Sequence, residues 1–161
     1  MLASPKERDE HAQVVGAIVG ALAPYCEASP AVTGPAVARL RSMAHLASSV
    51  SGTLRGDTDA LTLVRALHPT PAVAGSPTDV ALALLAALEP TGRDRYAGPV
   101  GWMDARGDGA FVVGIRGATI DGHRAVLHAG AGIVAGSDPA CEAAETTLKL
   151  RATIDALLGD A

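Results

Sequence analysis

The chain has very few aromatic residues. Its 161 residues include one Trp, two Tyr and one Phe, which together are 2% of the sequence. Single-stranded nucleic acids bind by stacking their bases on aromatic rings, and a phosphate backbone needs clustered Lys and Arg, of which no block is present. The formal net charge is -4, from 13 basic and 17 acidic residues. The composition therefore argues against a nucleic-acid partner, and any anionic ligand needs a local site.

Cysteines and long apolar runs are also scarce. Cys26 and Cys141 make neither a disulfide framework nor the spacing of a metal site. The longest nearly apolar stretch, Val14 to Cys26, is interrupted by glycine and proline. The first ten residues carry charges where a signal peptide needs an apolar segment. These absences predict a cytoplasmic protein without a membrane partner.

The helix and strand signals predict an α/β fold in which helices pack on an antiparallel sheet. Almost half of the residues, 48%, are hydrophobic, so a chain of this length is expected to form one domain with a buried core. Ser4 as N-cap and Pro5 at the first helical position predict a helix start, and Pro24 predicts its end. Caps and turn residues predict the rest: a turn at Gly34-Pro35, a strand from about Ala38 to Val50, helices from Thr58 to Leu67, after Ser76-Pro77 and after Asp138-Pro139, a loop from His68 to Gly75, and an antiparallel meander from Tyr96 to Val134.

Glu10 is the first candidate for chemistry. It continues the row of Val14 and Ile18 in steps of four, so its carboxylate lies on the helix stripe that is expected to be buried and needs a partner there. The alternative is an ordinary acid near the helix start, stabilised by the helix dipole.

Glu142, Glu145 and Lys149 form a second candidate near the start of the last helix. At about 100° per residue they lie within about 60° of one another on one helix face. Two carboxylates supply the hard oxygen ligands that Mg²⁺ takes from proteins. The alternative is a solvated Glu145/Lys149 pair at i, i+4. The spacing leaves both open.

Arg116 and a glycine-rich segment are two candidates for binding anions. Arg116 is predicted in a strand from Phe111 to Ala118, where neighbouring glycines leave room for bidentate capture of a carboxylate; the alternative is a surface arginine. Gly130 to Gly136 lacks the spacing of a dinucleotide site. Its bare backbone N–H groups still allow close approach of an anion.

The ordered set of motifs resembles the C-terminal half of the chorismate-utilising enzymes, and within them it is most similar to isochorismate synthase. The resemblance implies that residues 1–161 are part of a larger chorismate-binding domain with the fold of anthranilate synthase component I. It covers essentially the whole chain but well under half of a typical family member. The matching segments are Ser4–His11, His45–Gly52, Leu67–Gly75, Tyr96–Trp102, Ile115-Arg116, Ala129–Val134, Glu142 and Glu145–Leu150.

The resemblance implies roles for these residues. Glu10 and Glu145 would ligate Mg²⁺ directly and Glu142 through water, and the metal would bind the ring carboxylate of chorismate. His45 would lie near the departing hydroxyl. The remaining substrate contacts would come from Tyr96, Arg116 and the backbone of Gly130 and Gly132 at the enolpyruvyl carboxylate, and from Lys149 near the metal-bound end.

Ala72 indicates which branch of the family the chain follows. The relatives that form salicylate or anthranilate resemble one another in having threonine there, whereas isochorismate synthases have alanine, which leaves water as the nucleophile. The implied reaction is an isomerisation by water addition with loss of a ring hydroxyl, in siderophore or menaquinone biosynthesis. The family's lysine base and glutamate acid lie in the half that the resemblance does not cover, so the chain alone is expected to be inactive. The alternatives are an aminodeoxychorismate, anthranilate or salicylate synthase, or a non-catalytic module that complements a separate N-terminal half or self-associates.

Overall fold

The structure is a computed structural model and describes residues 5–39 and 44–159. The chain divides into two compact units. The first comprises the residues up to Leu88 together with Gly101–Val112, and the second comprises Glu89–Val100 together with the residues from Val113 onward. The predicted N-cap Ser4 lies outside the described residues, and a single domain over residues 1–161 stays a prediction.

Helix α1 opens the first unit and spans Pro5–Leu22, followed by a short 3-10 helix at Ala23–Tyr25. Both predicted boundaries are confirmed. The fixed φ of proline suits the first turn of a helix, and its missing N–H and bulky ring end one. The other helices of this unit are α2 (Ala60–Leu67), α3 (Pro71–Ala74) and α4 (Thr78–Leu88).

A hairpin of two antiparallel strands follows α1. Strand β1 spans Ala31–Arg39 and β2 spans Ala44–Ser51. The single strand predicted from Ala38 to Val50 is therefore wrong. The predicted turn at Gly34-Pro35 is also wrong, because these residues form a bulge inside β1. A bulge suits them, since proline cannot donate a ladder hydrogen bond.

Helix α1 lies against β2, α2 and α3, so one helix connects most of the first unit. The predicted loop from His68 to Gly75 contains α3, a correction that follows from Pro71 at a first helical position. Helix α2 begins at its N-cap Asp59, whose carboxylate accepts a hydrogen bond of 2.7 Å from the N–H of Thr62.

The later strands form two further hairpins. Strand β3 (Pro99–Met103) pairs with β4 (Gly109–Val113), and β5 (Ala118–Asp121) pairs with β6 (Arg124–Leu127). The antiparallel architecture with helices is confirmed, but the described strands make three two-stranded sheets and not one meander. Helix α5 spans Pro139–Leu158.

The caps predicted for α5 are confirmed. Asp138 accepts a hydrogen bond of 2.9 Å from the N–H of Cys141, and this bond lowers the pKa of the Asp138 carboxyl. Gly159 ends the helix with a φ of 81°, a conformation that glycine adopts without strain.

Burial is sparse among the described residues. Their buried positions are Cys26, Pro30, Ala74 and Ala97. The well-buried core expected from length and composition is therefore not present in the described part of the chain, where apolar side chains are half-buried or exposed.

One described stretch, Pro71–Leu88, is long and apolar enough by composition to cross a membrane, with a mean hydropathy of 1.4 over 18 residues. It is longer than the stretch from Val14 to Cys26, which corrects that prediction. The stretch is divided between α3 and α4, and the 11 residues of α4 extend about 16 Å against a hydrocarbon core of about 30 Å.

Candidate functional site

Tyr96 lies in a tight loop of the second unit. Its N–H donates to the carbonyl of Arg93 at 2.7 Å, and the N–H of Ala97 donates to the carbonyl of Gly114 at 2.9 Å. Asp94 and Ala97 have φ values of 44° and 63°, in the left-handed region that residues other than glycine rarely adopt. The backbone on both sides of Tyr96 is therefore constrained, and the loop is anchored to Gly114.

The Tyr96 hydroxyl lies next to Gly130. A Cβ on Gly130 would come within 3.2 Å of that hydroxyl oxygen, so glycine leaves it room. The Tyr96 ring also neighbours the His128 ring, with centroids 5.7 Å apart and planes tilted by 30°. Tyr96 and Gly130 are thus together, as the resemblance predicted. His128 was missed, although its place directly before the glycine-rich segment was a signal.

Lys149 connects α5 to this glycine-rich segment. Its Nζ donates to the carbonyl of Gly130 at 2.9 Å and lies 2.5 Å from Oε1 of Glu145. The Lys149 side chain is 20% exposed, whereas that of Glu145 is 53% exposed. The i, i+4 ion pair is therefore present, but it is more than a solvated surface pair because the ammonium has a second partner on another element.

Arg116 does not lie on a strand, which corrects the prediction of one strand from Phe111 to Ala118. Strand β4 ends at Val113 and β5 begins at Ala118. The strand ends where Gly114 approaches the carbonyl of Gly98 so closely that a Cβ would lie 3.0 Å from it. Arg116 has a φ of 60° in the connecting turn, and its Nη1 is buried.

Gly132 is exposed, and a Cβ there would meet nothing within 4 Å. The fold therefore does not require glycine at this position. An approaching ligand would, so the predicted backbone contact at Gly132 stays a prediction.

The other predicted site residues belong to the first unit. Glu10 is half-buried on α1 with its Oε1 shielded from solvent, as expected for a carboxylate on the buried stripe. His45 is exposed on β2, opposite Ala38. Ala72 is exposed on α3.

A contact between α1 and β2 was not predicted. Nε2 of His11 lies 2.8 Å from Oγ of Ser48. No sequence spacing connects two residues on different elements, so only the fold reveals this pair.

The predicted metal ligands are tested by the chemistry of the donors present. Within residues 5–39 and 44–159, no three His, Cys, Asp or Glu side chains are grouped as a metal site. Glu142 and Glu145 share the first turns of α5, where Glu142 is half-buried. A pair of carboxylates fits Mg²⁺, which takes one or two protein carboxylates and completes its shell with water and substrate.

An ion pair that was not predicted lies beside Tyr96. Glu89 accepts from Arg93 at 2.8 Å from Nε to Oε2 and at 2.6 Å from Nη2 to Oε1. The hydrogen bonds from Arg93 lower the pKa of the Glu89 carboxyl, and those bonds raise the pKa of Arg93. The i, i+4 spacing was a signal in the sequence.

Comparisons with known proteins agree with this architecture. A family model described as chorismate binding enzyme matches residues 1–158. Isochorismate synthase DhbC of Bacillus subtilis (strain 168) is 42% identical over 158 residues, covering 98% of this chain and 40% of the relative. Isochorismate synthase MenF of the same organism is 39% identical over 160 residues, covering 99% and 34%.

A crystal structure shows the same fold. DhbC from Bacillus anthracis, assigned as a 2,3-dihydroxybenzoate-specific isochorismate synthase, matches with a TM-score of 0.94 and 43% identity, over 97% of this chain and 42% of that chain. The chain thus spans about two fifths of that structure and of the relatives it matches.

Proposed function

Since the chain belongs to the family of chorismate binding enzymes, we propose that it forms the substrate- and metal-binding part of an isochorismate synthase in the cytoplasm. The observation that carries the proposal is the contact set of Tyr96, Gly130 and Lys149 in the second unit. Relatives at 39% and 42% identity, both named isochorismate synthases, support the choice of reaction.

Chorismate carries two carboxylates, and the chain offers several donors for them. We assign the enolpyruvyl carboxylate to the Tyr96 hydroxyl, the Arg116 guanidinium and the backbone N–H groups of Gly130 and Gly132. Lys149 adds a positive charge beside Gly130. This local positive potential lets an acidic protein bind a dianion.

The proposed metal is Mg²⁺, held by Glu10 and Glu145 directly and by Glu142 through water. When bound, it would neutralise and orient the ring carboxylate of the substrate. Glu145 would have to exchange its ion pair with Lys149 for the metal. The freed ammonium would then remain beside the substrate.

The proposed reaction exchanges one ring hydroxyl for another. The oxygen of a water molecule forms a new bond to the ring while the neighbouring C–O bond breaks. A base takes the proton of the attacking water and an acid protonates the departing hydroxyl, so one water enters and one leaves. His45 is assigned to the departing hydroxyl, and the small side chain of Ala72 leaves space for water. The family's lysine base and glutamate acid belong to the part of the relatives that this chain does not match.

Calorimetric titration with chorismate in the presence of Mg²⁺ tests the proposal. We expect the purified chain to bind chorismate without turnover. Lys149→Met should weaken binding, whereas Lys6→Met, which removes a lysine outside the proposed site, should not. Absence of binding would contradict the proposed site. Robust formation of isochorismate by the chain alone would contradict the assignment of base and acid to the unmatched part.

A second candidate function is a non-catalytic module that is completed by the rest of the family fold. The observation that favours it is the exposed apolar surface of the β3–β4 hairpin, where Val100, Trp102 and Val112 are 57%, 60% and 69% exposed. Co-expression with the unmatched part of Bacillus subtilis DhbC should give one complex in size-exclusion chromatography. Two separate peaks would contradict this role.

A further inference from the structure

The Tyr96 ring has two neighbours that the proposed function does not use. The guanidinium carbon of Arg93 lies 5.9 Å from the ring centroid, within the range of about 6 Å where a cation is attracted to an aromatic face. The His128 ring lies 5.7 Å away, at the separation typical of paired rings. Both neighbours restrict the orientation of the Tyr96 ring.

Arg93 is itself held in place. Glu89 accepts hydrogen bonds from both Nε and Nη2 of Arg93, so the planar guanidinium is gripped at two points. The two side chains are 28% and 34% exposed. Such a two-point contact fixes the direction of the guanidinium, which a single contact to a flexible lysine would not do.

The backbone of the same loop is held in an unusual conformation. Tyr96 lies between Asp94 and Ala97, and both have positive φ values. Backbone of this kind persists where the surrounding structure over-determines it, and it is concentrated at functional sites. The loop is thus built to present the one side chain that lies between these two residues.

We propose that Arg93, gripped by Glu89, is a positioning residue that holds the Tyr96 ring so that its hydroxyl stays beside Gly130. Arg93 acts on the ligand only through Tyr96. The identity of the ligand as a carboxylate of chorismate rests on the proposed function, whereas the positioning of the ring does not.

Nuclear magnetic resonance of the intact chain with labelled tyrosine rings tests the positioning directly. The sequence contains two tyrosines, so Tyr25→Phe leaves the ring signals of Tyr96 alone. In this background, Arg93→Gln should shift the Tyr96 ring signals and weaken the cross-peaks between the Tyr96 and His128 rings. Arg93→Lys should restore them only in part, because lysine keeps the charge and loses the two-point contact. Unchanged Tyr96 signals in Arg93→Gln would overturn the proposal.

A matched control and a second variant keep this test sharp. Arg106 also pairs with carboxylates, those of Asp104 and Asp108, but on the β3–β4 hairpin, and Arg106→Gln should leave the Tyr96 signals unchanged. Glu89→Gln should move the Tyr96 signals in the same direction as Arg93→Gln. It serves as the deciding variant if Arg93→Gln does not fold, and no effect of Glu89→Gln would then overturn the proposal.

Titration with chorismate and Mg²⁺ gives the functional outcome. If the wild-type chain binds, Arg93→Gln should weaken binding by roughly two- to fivefold, the size expected for a cation over an aromatic ring. The same substitution in a Tyr96→Ala background should change affinity little, and an equal loss there would overturn the action through Tyr96. If the wild-type chain does not bind chorismate, the proposed function fails, while the ring signals still decide whether Arg93 positions Tyr96.

Discussion

The carboxyl of Glu89 shows how one residue in the second unit responds to pH. Its pKa is lowered, first by the hydrogen bonds from Arg93. A carboxyl whose pKa falls on folding stabilises the fold above its ordinary pKa, and this stabilisation is lost as the pH falls through the lowered value. The Glu89–Arg93 pair therefore stabilises the protein at neutral pH and not in acid.

We expect Glu89→Gln to lower the thermal midpoint at neutral pH. The difference from wild type should shrink as the pH falls below the ordinary value of 4.5, because the wild-type carboxyl then becomes neutral as well. Thermal unfolding followed by circular dichroism from neutral to acidic pH measures this. Glu27→Gln, at an exposed glutamate, is the matched control. A difference for Glu89→Gln that stays constant into strong acid would contradict the assigned role.

The same scale shows which site residues the sequence could identify. Tyr96, Gly130 and Lys149 were predicted from the family resemblance, and the structure brings them into contact. His128 and the partners His11 and Ser48 were not predicted. These contacts join residues on different elements, and neither composition nor periodicity carries information about such pairs.

At the scale of elements, local signals predicted the helices well and the strands poorly. The boundaries of α1 and α5 were predicted because proline, Asp138 and Gly159 act on the adjacent turns alone. The β1–β2 hairpin was missed because strand pairing is non-local, and a proline at a bulge has the same local appearance as one in a turn.

Gly34 at this bulge provides a prediction about an element. Its φ is 116°, and a Cβ would lie 2.8 Å from the carbonyl oxygen of Ala47. We expect Gly34→Ala to destabilise the fold by at least about 1 kcal/mol, since both the left-handed backbone and the close contact oppose a side chain. Chemical denaturation followed by circular dichroism measures the change.

Gly20 on α1 is the matched control for this substitution. A Cβ there would meet nothing within 4 Å, so Gly20→Ala should stabilise the helix by about 0.5–1 kcal/mol. A stability for Gly34→Ala equal to or above wild type would show that Gly34 does not need the conformation and contact described for the bulge.

At the scale of the whole molecule, the distribution of apolar residues is unusual for a chain that is 48% hydrophobic. Among the described residues, the buried hydrophobic side chains are those of Cys26, Ala74 and Ala97, which are small. Large apolar side chains on β3, β4 and α4 are exposed instead. Exposed apolar surface rimmed by polar residues marks places where another polypeptide packs. This distribution supports the proposal that the rest of the family fold covers these surfaces.

Trp102, the one tryptophan of the chain, is 60% exposed on β3 and reports on such packing. Adding the unmatched part of Bacillus subtilis DhbC should shift its fluorescence emission to shorter wavelength, because the indole leaves water. Trp102→Phe corrects for tryptophans of the added polypeptide. Val112→Asp on β4 should prevent the shift, since docking would bury an uncompensated charge, whereas Val32→Asp on the exposed strand β1 should not. A spectrum of the mixture equal to the sum of its components would mean that the β3–β4 hairpin is not the docking surface.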